Sequence, residues 1–243
     1  EAATLSFGSS IWSSPLQSLS AANGNSPKVA VDANGNAIAI WTLQVGFSFP
    51  IQSSSLPAGS TTWSAPINVS TLGSGSEPDI ALDPAGNAVA VWSNFAGATV
   101  IIDASTLPFG ASSWTPQIHI SNVASLNFGS SPEVAVDAMG NAFAVWRELV
   151  GAPGSIIQAS ILPFGGSWTL PATTLSSTGE FVDFPQIAVS PAGDAGVVWI
   201  NVTEGRVYAT TWTSSPTVTQ VNPSSGLVAG GNVVTITGTN FAN

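Results

Sequence analysis

The chain has 243 residues, 44% of them apolar and only 7% charged, and its thirteen acids against three cations, Lys28, Arg147 and Arg206, leave a formal charge of −10. That balance opposes binding to a nucleic-acid backbone, which needs Lys and Arg to displace counterions, and it opposes adsorption to anionic lipid. No apolar stretch approaches the roughly 20 residues that span a bilayer, and the absence of Cys removes disulfides, thiolate metal ligands and a cysteine nucleophile together.

The first element in chain order, Ile11-Trp12-Ser13-Ser14-Pro15, takes its meaning from a repeat that occupies the rest of the chain. A segment of leading Pro, alternating apolar residues, an Asp turn with Gly and Asn, and a closing Trp occurs four times. It runs from Pro27 to Trp41, Pro78 to Trp92, Pro132 to Trp146 and Pro185 to Trp199, so the four Trp lie 51, 54 and 53 residues apart. One unit of supersecondary structure has been copied, and such units bury their apolar faces by stacking.

Within a unit, Val29 and Val31 alternate with Ala30 as a first strand of period two, and the turn after it predicts a hairpin. Asp32, Asp83 and Asp137 are placed to accept hydrogen bonds from turn N–H groups, and Gly35, Gly86 and Gly140 to take positive φ. The fourth copy has Ser190 and Asp194 in place of Asp and Asn. In the second strand Ala37, Ala39 and Trp41 share one face while Ile38 and Ile40 share the other. A strand apolar on both faces must be covered on both sides. A third strand is seen at Ile51, Ile101-Ile102, Ile156-Ile157 and Val207. A turn of the Leu-Pro-x-Gly type at Leu56, Leu107 and Leu162 leads from it to a fourth strand marked by Trp63, Trp114 and Trp168.

Four antiparallel strands per unit of about fifty residues predict an all-β fold: a four-bladed β-propeller of four-stranded antiparallel blades. The last copy lacks its fourth strand, and Trp12, 51 residues before Trp63, lies in phase to supply it. The expected ring is therefore closed by the N-terminal strand, which leaves no inner edge exposed. A β-solenoid is the alternative, but it gives no reason for matching half-repeats at the two ends.

Val-Ala-Val-Asp-x-x-Gly-Asn resembles the strand-turn-strand core of NHL-type propeller repeats, and the order Asp, Gly, Trp is similar to the Asp-box repeat of sialidase-like propellers. These resemblances cover residues 11 to 213 and imply propeller topology. The segment carrying Pro223-Ser224-Ser225-Gly226, Gly230-Gly231 and Thr235-Ile236-Thr237-Gly238 resembles the opening of an IPT/TIG domain, which implies a truncated immunoglobulin-like β segment. The expected division is a propeller over 1–215 and the start of an IPT/TIG domain over 216–243. The latter resemblance and the Ser, Thr, Asn and Gly content imply an extracellular or cell-surface home. No signal peptide is present, but a mature chain would have lost one. The triplets at Asn68 and Asn201 match the glycosylation pattern, which arises often in a Ser/Thr-rich chain.

Several side-chain groups could carry chemistry. The sialidase resemblance implies a cluster of three arginines, and this chain has only Arg147 and Arg206. His119, the sole histidine, falls on an outer strand and reads as a structural or solvated imidazole. The Arg147-Glu148 pair occurs in one unit only and reads as a surface ion pair on a loop. Each Asp turn offers one carboxylate where calcium needs six to eight oxygens, so no metal or cofactor is expected. Paired carboxylates keep glycoside hydrolysis open without histidine.

The position after the leading Pro changes while its surroundings stay the same: Lys28, Asp79, Glu133 and Gln186. In a propeller these would form one polar ring at a mouth of the central channel, either as a ligand site or as a solvated plug. Trp41, Trp92, Trp146 and Trp199 read as core. Trp12, Trp63, Trp114 and Trp168, beside polar residues, read as the more exposed set and as candidate ligand contacts together with Phe109 and Phe164.

The resulting expectation is a non-catalytic extracellular binding or spacer module with a protein or glycan partner. A glycan-binding lectin-like propeller comes second and a carboxylate-dependent glycoside-active enzyme third.

Overall fold

The computed structural model describes residues 2, 16–21, 23–71, 74–122, 128–151, 154–213, 217–226, 230–231 and 233–239. Among them every regular element is a β-strand. The first unit forms a four-stranded antiparallel meander of β1 (Gly24–Val31), β2 (Ala37–Leu43), β3 (Ile51–Leu56) and β4 (Ile67–Asn68). The second repeats it as β5 (Gly75–Leu82), β6 (Ala88–Ala96), β7 (Thr99–Leu107) and β8 (Ile118–His119). The third does so as β9 (Phe128–Val136), β10 (Ala142–Leu149), β11 (Ser155–Leu162) and β12 (Thr173–Thr174). A single parallel bridge, Val100 to Phe128, joins the second and third sheets. The fourth sheet contains β13 (Val182–Val189), β14 (Ala195–Asn201) and β15 (Arg206–Trp212). A separate hairpin of β16 (Thr217–Asn222) and β17 (Thr235–Thr239) lies in the IPT/TIG-like segment. The expected fourth strand of the fourth sheet falls on Trp12, outside the described residues; among those described, β15 pairs only with β14.

The two apolar faces of each second strand explain how the sheets stack. Ile38, Ile40, Ile51 and Val69 of sheet 1 pack against Ala88, Ala90, Trp92 and Trp114 of sheet 2. Val89, Val91, Ile102 and Ile120 of sheet 2 meet Ala142, Ala144, Trp146 and Trp168 of sheet 3. Val145 and Ile157 of sheet 3 then meet Val197 and Trp199 of sheet 4. Branched residues on one face fit against Ala and Trp on the next, and interleaving large with small side chains gives close packing.

The first strand of every unit is bulged at the same place, just ahead of the leading Pro. The residue before that Pro has a left-handed backbone in all four units: Ser26 at φ 49°, Glu77 at 51°, Ser131 at 51° and Phe184 at 54°. Such a conformation is strained in a non-Gly residue and persists only where its surroundings impose it.

At the other end of the first strand sits the Asp turn. Asp32 Oδ1 accepts the N–H groups of Asn34 and Asn36, both at 2.8 Å, and Oδ2 accepts the Asn36 amide at 2.7 Å. Asp83 and Asp137 receive the same bonds from Asn87 and Asn141. Each Asn also reaches sideways, since Asn36, Asn87 and Asn141 Oδ1 accept the N–H of Ala58, Phe109 and Phe164 at 2.9 Å. One Asp-Asn pair thus ties the hairpin turn to the Leu-Pro-x-Gly turn of its own unit.

Arg147 and Glu148 depart from expectation. Both lie within β10 rather than on a loop, and successive residues of a strand point to opposite faces, so they cannot pair. Glu148 is fully buried on the Trp146 face. Arg147 points the other way, 3.7 Å from Asp183 and over the ring of Phe181 in the stretch that enters sheet 4.

Candidate functional site

The four inner strands β1, β5, β9 and β13 face one axial space. At its Asp-turn end the space is lined by Val31, Leu82, Val136 and Val189 with their turns. At its Pro end it opens into a cavity of about 280 Å³ bordered by residues of all four strands. Lys28, Asp79, Glu133 and Gln186 converge on this mouth: Lys28, Glu133 and Gln186 line it, and Lys28 Nζ lies 3.3 Å from Asp79 Oδ1 and 3.4 Å from Glu133 Oε1. Asp79 Oδ2 accepts the N–H of Val134 at 2.9 Å, and Gln186 Nε2 donates to the Pro185 carbonyl at 3.0 Å.

The electrostatics follow from this crowding. Burial and the neighbouring charge of Asp79 push the Glu133 carboxyl above the ordinary range, against the opposing pull of Lys28 and Gln186. Burial works against the Lys28 ammonium, but its two acid partners outweigh it and hold the pKa above the usual lysine value. Two carboxylates are gathered on one cation, and burial together with the Asp79 charge raises the Glu133 carboxyl.

The bulge brings a second set of side chains to the same mouth: Ser26, Glu77, Ser131 and Phe184. Glu77 Oε2 accepts the Ser131 N–H at 2.8 Å and is 3.3 Å from Ser93 Oγ, and Phe184 is exposed. Sequence reasoning passed over this set because the residue types vary from unit to unit. The signal that marks them is position, since each immediately precedes the leading Pro.

The outer Trp set lies elsewhere. Trp63, Trp114 and Trp168 are buried, which corrects the expectation of exposure, and Trp12 lies outside the described residues. Trp114 and Trp168 pack into the seams between sheets, and Trp114 Nε1 donates to Ser53 Oγ of the preceding sheet at 2.9 Å. Their polar neighbours mislead because those polar atoms are satisfied inside the sheet. Ser54, Ser105 and Ser160 hydroxyls donate to the carbonyls of Ser64, Thr115 and Thr169. Phe109 and Phe164 are exposed at the turn tips.

His119 Nδ1 is hydrogen-bonded to the fully buried Asp103, whose other oxygen accepts from Asn94 and Gln117. Arg206 pairs with Glu204 at 3.7 Å. A larger cleft of about 650 Å³ lies between sheets 2 and 3, walled by apolar groups around Phe164 and Trp168. The one carboxylate at its edge, Asp83, is committed to its turn.

Residues 216–243 match the IPT/TIG domain family. No curated protein matches the chain. Among solved structures the chain is similar to the Hadza microbial sialidase Hz136, with TM-score 0.58, 12% identity, and coverage of 78% of this chain and 44% of that one. It is also similar to the Penicillium chrysogenum α-L-arabinanase complexed with arabinobiose, with TM-score 0.52, 12% identity, and coverage of 84% and 72%. A third is the GH93 α-L-arabinofuranosidase of Fusarium graminearum with arabinobiose, with TM-score 0.51, 13% identity, and coverage of 73% and 56%. The chain spans only 44% of the sialidase and 56% of the arabinofuranosidase.

Proposed function

We infer a carbohydrate-active chain in place of the expected non-catalytic spacer, because the similar solved structures named above, a sialidase, an arabinanase and an arabinofuranosidase, share its all-β, propeller-like fold. We propose that the chain is a carbohydrate-active β-propeller that takes a glycan at the Pro-end mouth of its axial space. The observation that carries this reading is the pair Asp79 and Glu133 held on Lys28, with the Glu133 carboxyl raised by burial and by Asp79. Glycoside cleavage needs one carboxyl that still holds a proton and one that does not. Glu133 is the proton donor to the departing glycosidic oxygen. Asp79, fixed by Lys28 and the Val134 N–H, is the opposing carboxylate. Phe184 at the rim offers a ring for a sugar C–H face.

The repeats as NHL- or Asp-box-like units, the division at residue 215 and an extracellular or cell-surface setting belong to the same proposal. Detection of the protein in washed-cell and culture-supernatant fractions tests the setting. Closure at four blades by the strand of Trp12 is not part of it.

Reducing-end release from a panel of neutral and acidic polysaccharides tests the activity. Glu133→Gln is expected to lower turnover by about 10²–10⁴-fold, and Asp79→Asn to lower it comparably. Turnover that survives both substitutions, or no product from any member of the panel, would overturn the reading.

A further inference from the structure

The start of the chain carries a fifth copy of the repeat's third-strand, turn and outer-Trp sequence. Ala2-Ala3-Thr4-Leu5-Ser6-Phe7-Gly8-Ser9-Ser10-Ile11-Trp12 corresponds to Ala104-Ser105-Thr106-Leu107-Pro108-Phe109-Gly110-Ala111-Ser112-Ser113-Trp114, with seven of the eleven positions identical. A third-strand sequence thus already precedes Trp12, so the Trp12 segment belongs to a unit of its own.

The described residues at either end of this stretch agree. Ala2 and Gln17 exchange backbone hydrogen bonds of 2.8 and 3.2 Å, as a third strand does with a fourth at the pairs Ala104 with Ile118 and Ala159 with Thr173. Ala2 and Leu19 pack on Trp41, Leu56 and Trp63 of sheet 1. Ala104 and Ile120 take the same places on Trp146, Leu162 and Trp168 of sheet 3.

What that half-unit fails to cover is equally regular. Sheet 1 is shielded at its outer end, yet on its inner strand Val29 is 62% exposed, where its counterparts Ile80 and Val134 are 6% and 7% exposed. Across the gap, Val207 of sheet 4 is 72% exposed, while Ile51, Ile102 and Ile157 at the same repeat position are at 0%. Val198 and Ile200 on that face are exposed as well. The two uncovered surfaces are the two sides of one socket. A single hairpin with the Ala-x-Ala-x-Trp strand would fill it, setting its branched face on Val29 and its Ala/Trp face on Val207, as at the three existing seams.

We infer that the socket between sheets 4 and 1 is the seat of a fifth blade, filled by an inner hairpin of the repeat's own type that sets its two apolar faces on Val207 and Val29. The occupant is specified by the three like interfaces of the stack and by Ala2 and Leu19 on the outer end of sheet 1. The residue after that hairpin's leading Pro would join Lys28 and Gln186 at the mouth. The inference stands whether or not the mouth is catalytic.

The test places a second copy of residues 75–102 ahead of Glu1, which restores the spacing of unit 2, since Glu1 then occupies the place of Asp103. Because the chain has no Cys, Val207→Cys gives a unique thiol. In the 243-residue chain this thiol reacts freely with a maleimide, and in the extended chain the reaction is expected to slow at least about tenfold as burial closes over it. Tm is expected to rise by roughly 5–10 °C. Val207→Asp should move Tm of the 243-residue chain by less than about 2 °C but abolish the gain in the extended one. An extension of scrambled order should protect nothing. Equal labelling in both chains would overturn the inference. So would a 243-residue Val207→Cys chain whose thiol is already protected in a dimer, which would make a second copy the occupant.

Discussion

The indole N–H of Trp146 donates to Oε2 of Glu148 at 3.1 Å, two residues along the same strand and wholly inside the protein. Among the described residues Glu148 Oε1 has no hydrogen-bond partner, nor has Oε1 of Gln158, its diagonal neighbour on β11. Burial, only partly offset by the Trp146 bond, pushes the Glu148 carboxyl from its ordinary 4.5 up to about 7.

A carboxyl raised in this way binds its proton more tightly folded than unfolded. Its contribution therefore favours the fold at low pH and is lost as pH rises from about 4.5 through about 7, by roughly 3 kcal/mol. Glu148→Gln keeps the acceptor for Trp146, adds donors beside Gln158 and carries no charge. Urea titrations at pH 5 and pH 8 should show the variant nearly equal to the parent at the lower pH and more stable at the higher. A parent whose stability does not fall over this range would refute the assignment.

Asp32 has the opposite sign. Burial pushes the Asp32 carboxyl up, but the bonds from Asn36 and Asn34 outweigh it and hold it below the usual 3.8. Its contribution is present above that value and is lost as pH falls through the depressed pKa. Asp32→Ala should cost about 1–2 kcal/mol at pH 7, and the difference from the parent should shrink in acid. Thermal melts at pH 7 and pH 3 check both parts.

Trp114 tests the corrected placement of the outer Trp set. Trp114→Phe leaves Ser53 Oγ without its donor and opens space in the seam between sheets 1 and 2. Destabilisation of about 1–2 kcal/mol is expected. In the parent, iodide should quench little of the emission from Trp63, Trp114 and Trp168. Efficient quenching, lost in the Trp114 variant, would return that ring to the surface.

Lys28 sets the proton affinity of Glu133 from across the mouth. Lys28→Ala removes a charge that lowers the Glu133 carboxyl and leaves Asp79, which raises it. With Glu133 as proton donor, the alkaline limb of the pH–rate profile should move to higher pH. A profile that moves to lower pH or stays in place would remove Glu133 from that role.

Much of the site was legible in the sequence, and the reason is register. The variable position after each leading Pro sits at the same depth in four copies of one strand, so Lys28, Asp79, Glu133 and Gln186 had to converge once those strands faced a common axis. Glu77 and Phe184 were not legible. Each stands two places before its ring residue, across the leading Pro, and reaches the mouth at the left-handed residue of the bulge, a backbone feature that the varying residue types at that position do not announce. The outer Trp were misjudged because sequence shows that Ser64, Thr115 and Thr169 stand beside them but not that their hydroxyls accept the N–H groups of Ser55, Thr106 and Ile161 on the neighbouring strand.

By itself the sequence determined the unit: its four-strand order, the Asp-Gly-Asn turn, the two-faced second strand and therefore the need for sheets to stack. Those properties are local, set by side-chain period and backbone preference within about fifty residues. Tertiary structure alone decided what no local rule contains: which acids share a cation, which carboxyl is cut off from water, and which faces of the stack stay uncovered. Each depends on how separate strands and units are brought together in space. The exposed Val29 and Val207 show this most plainly, because their sequence neighbourhoods match those of residues that are buried.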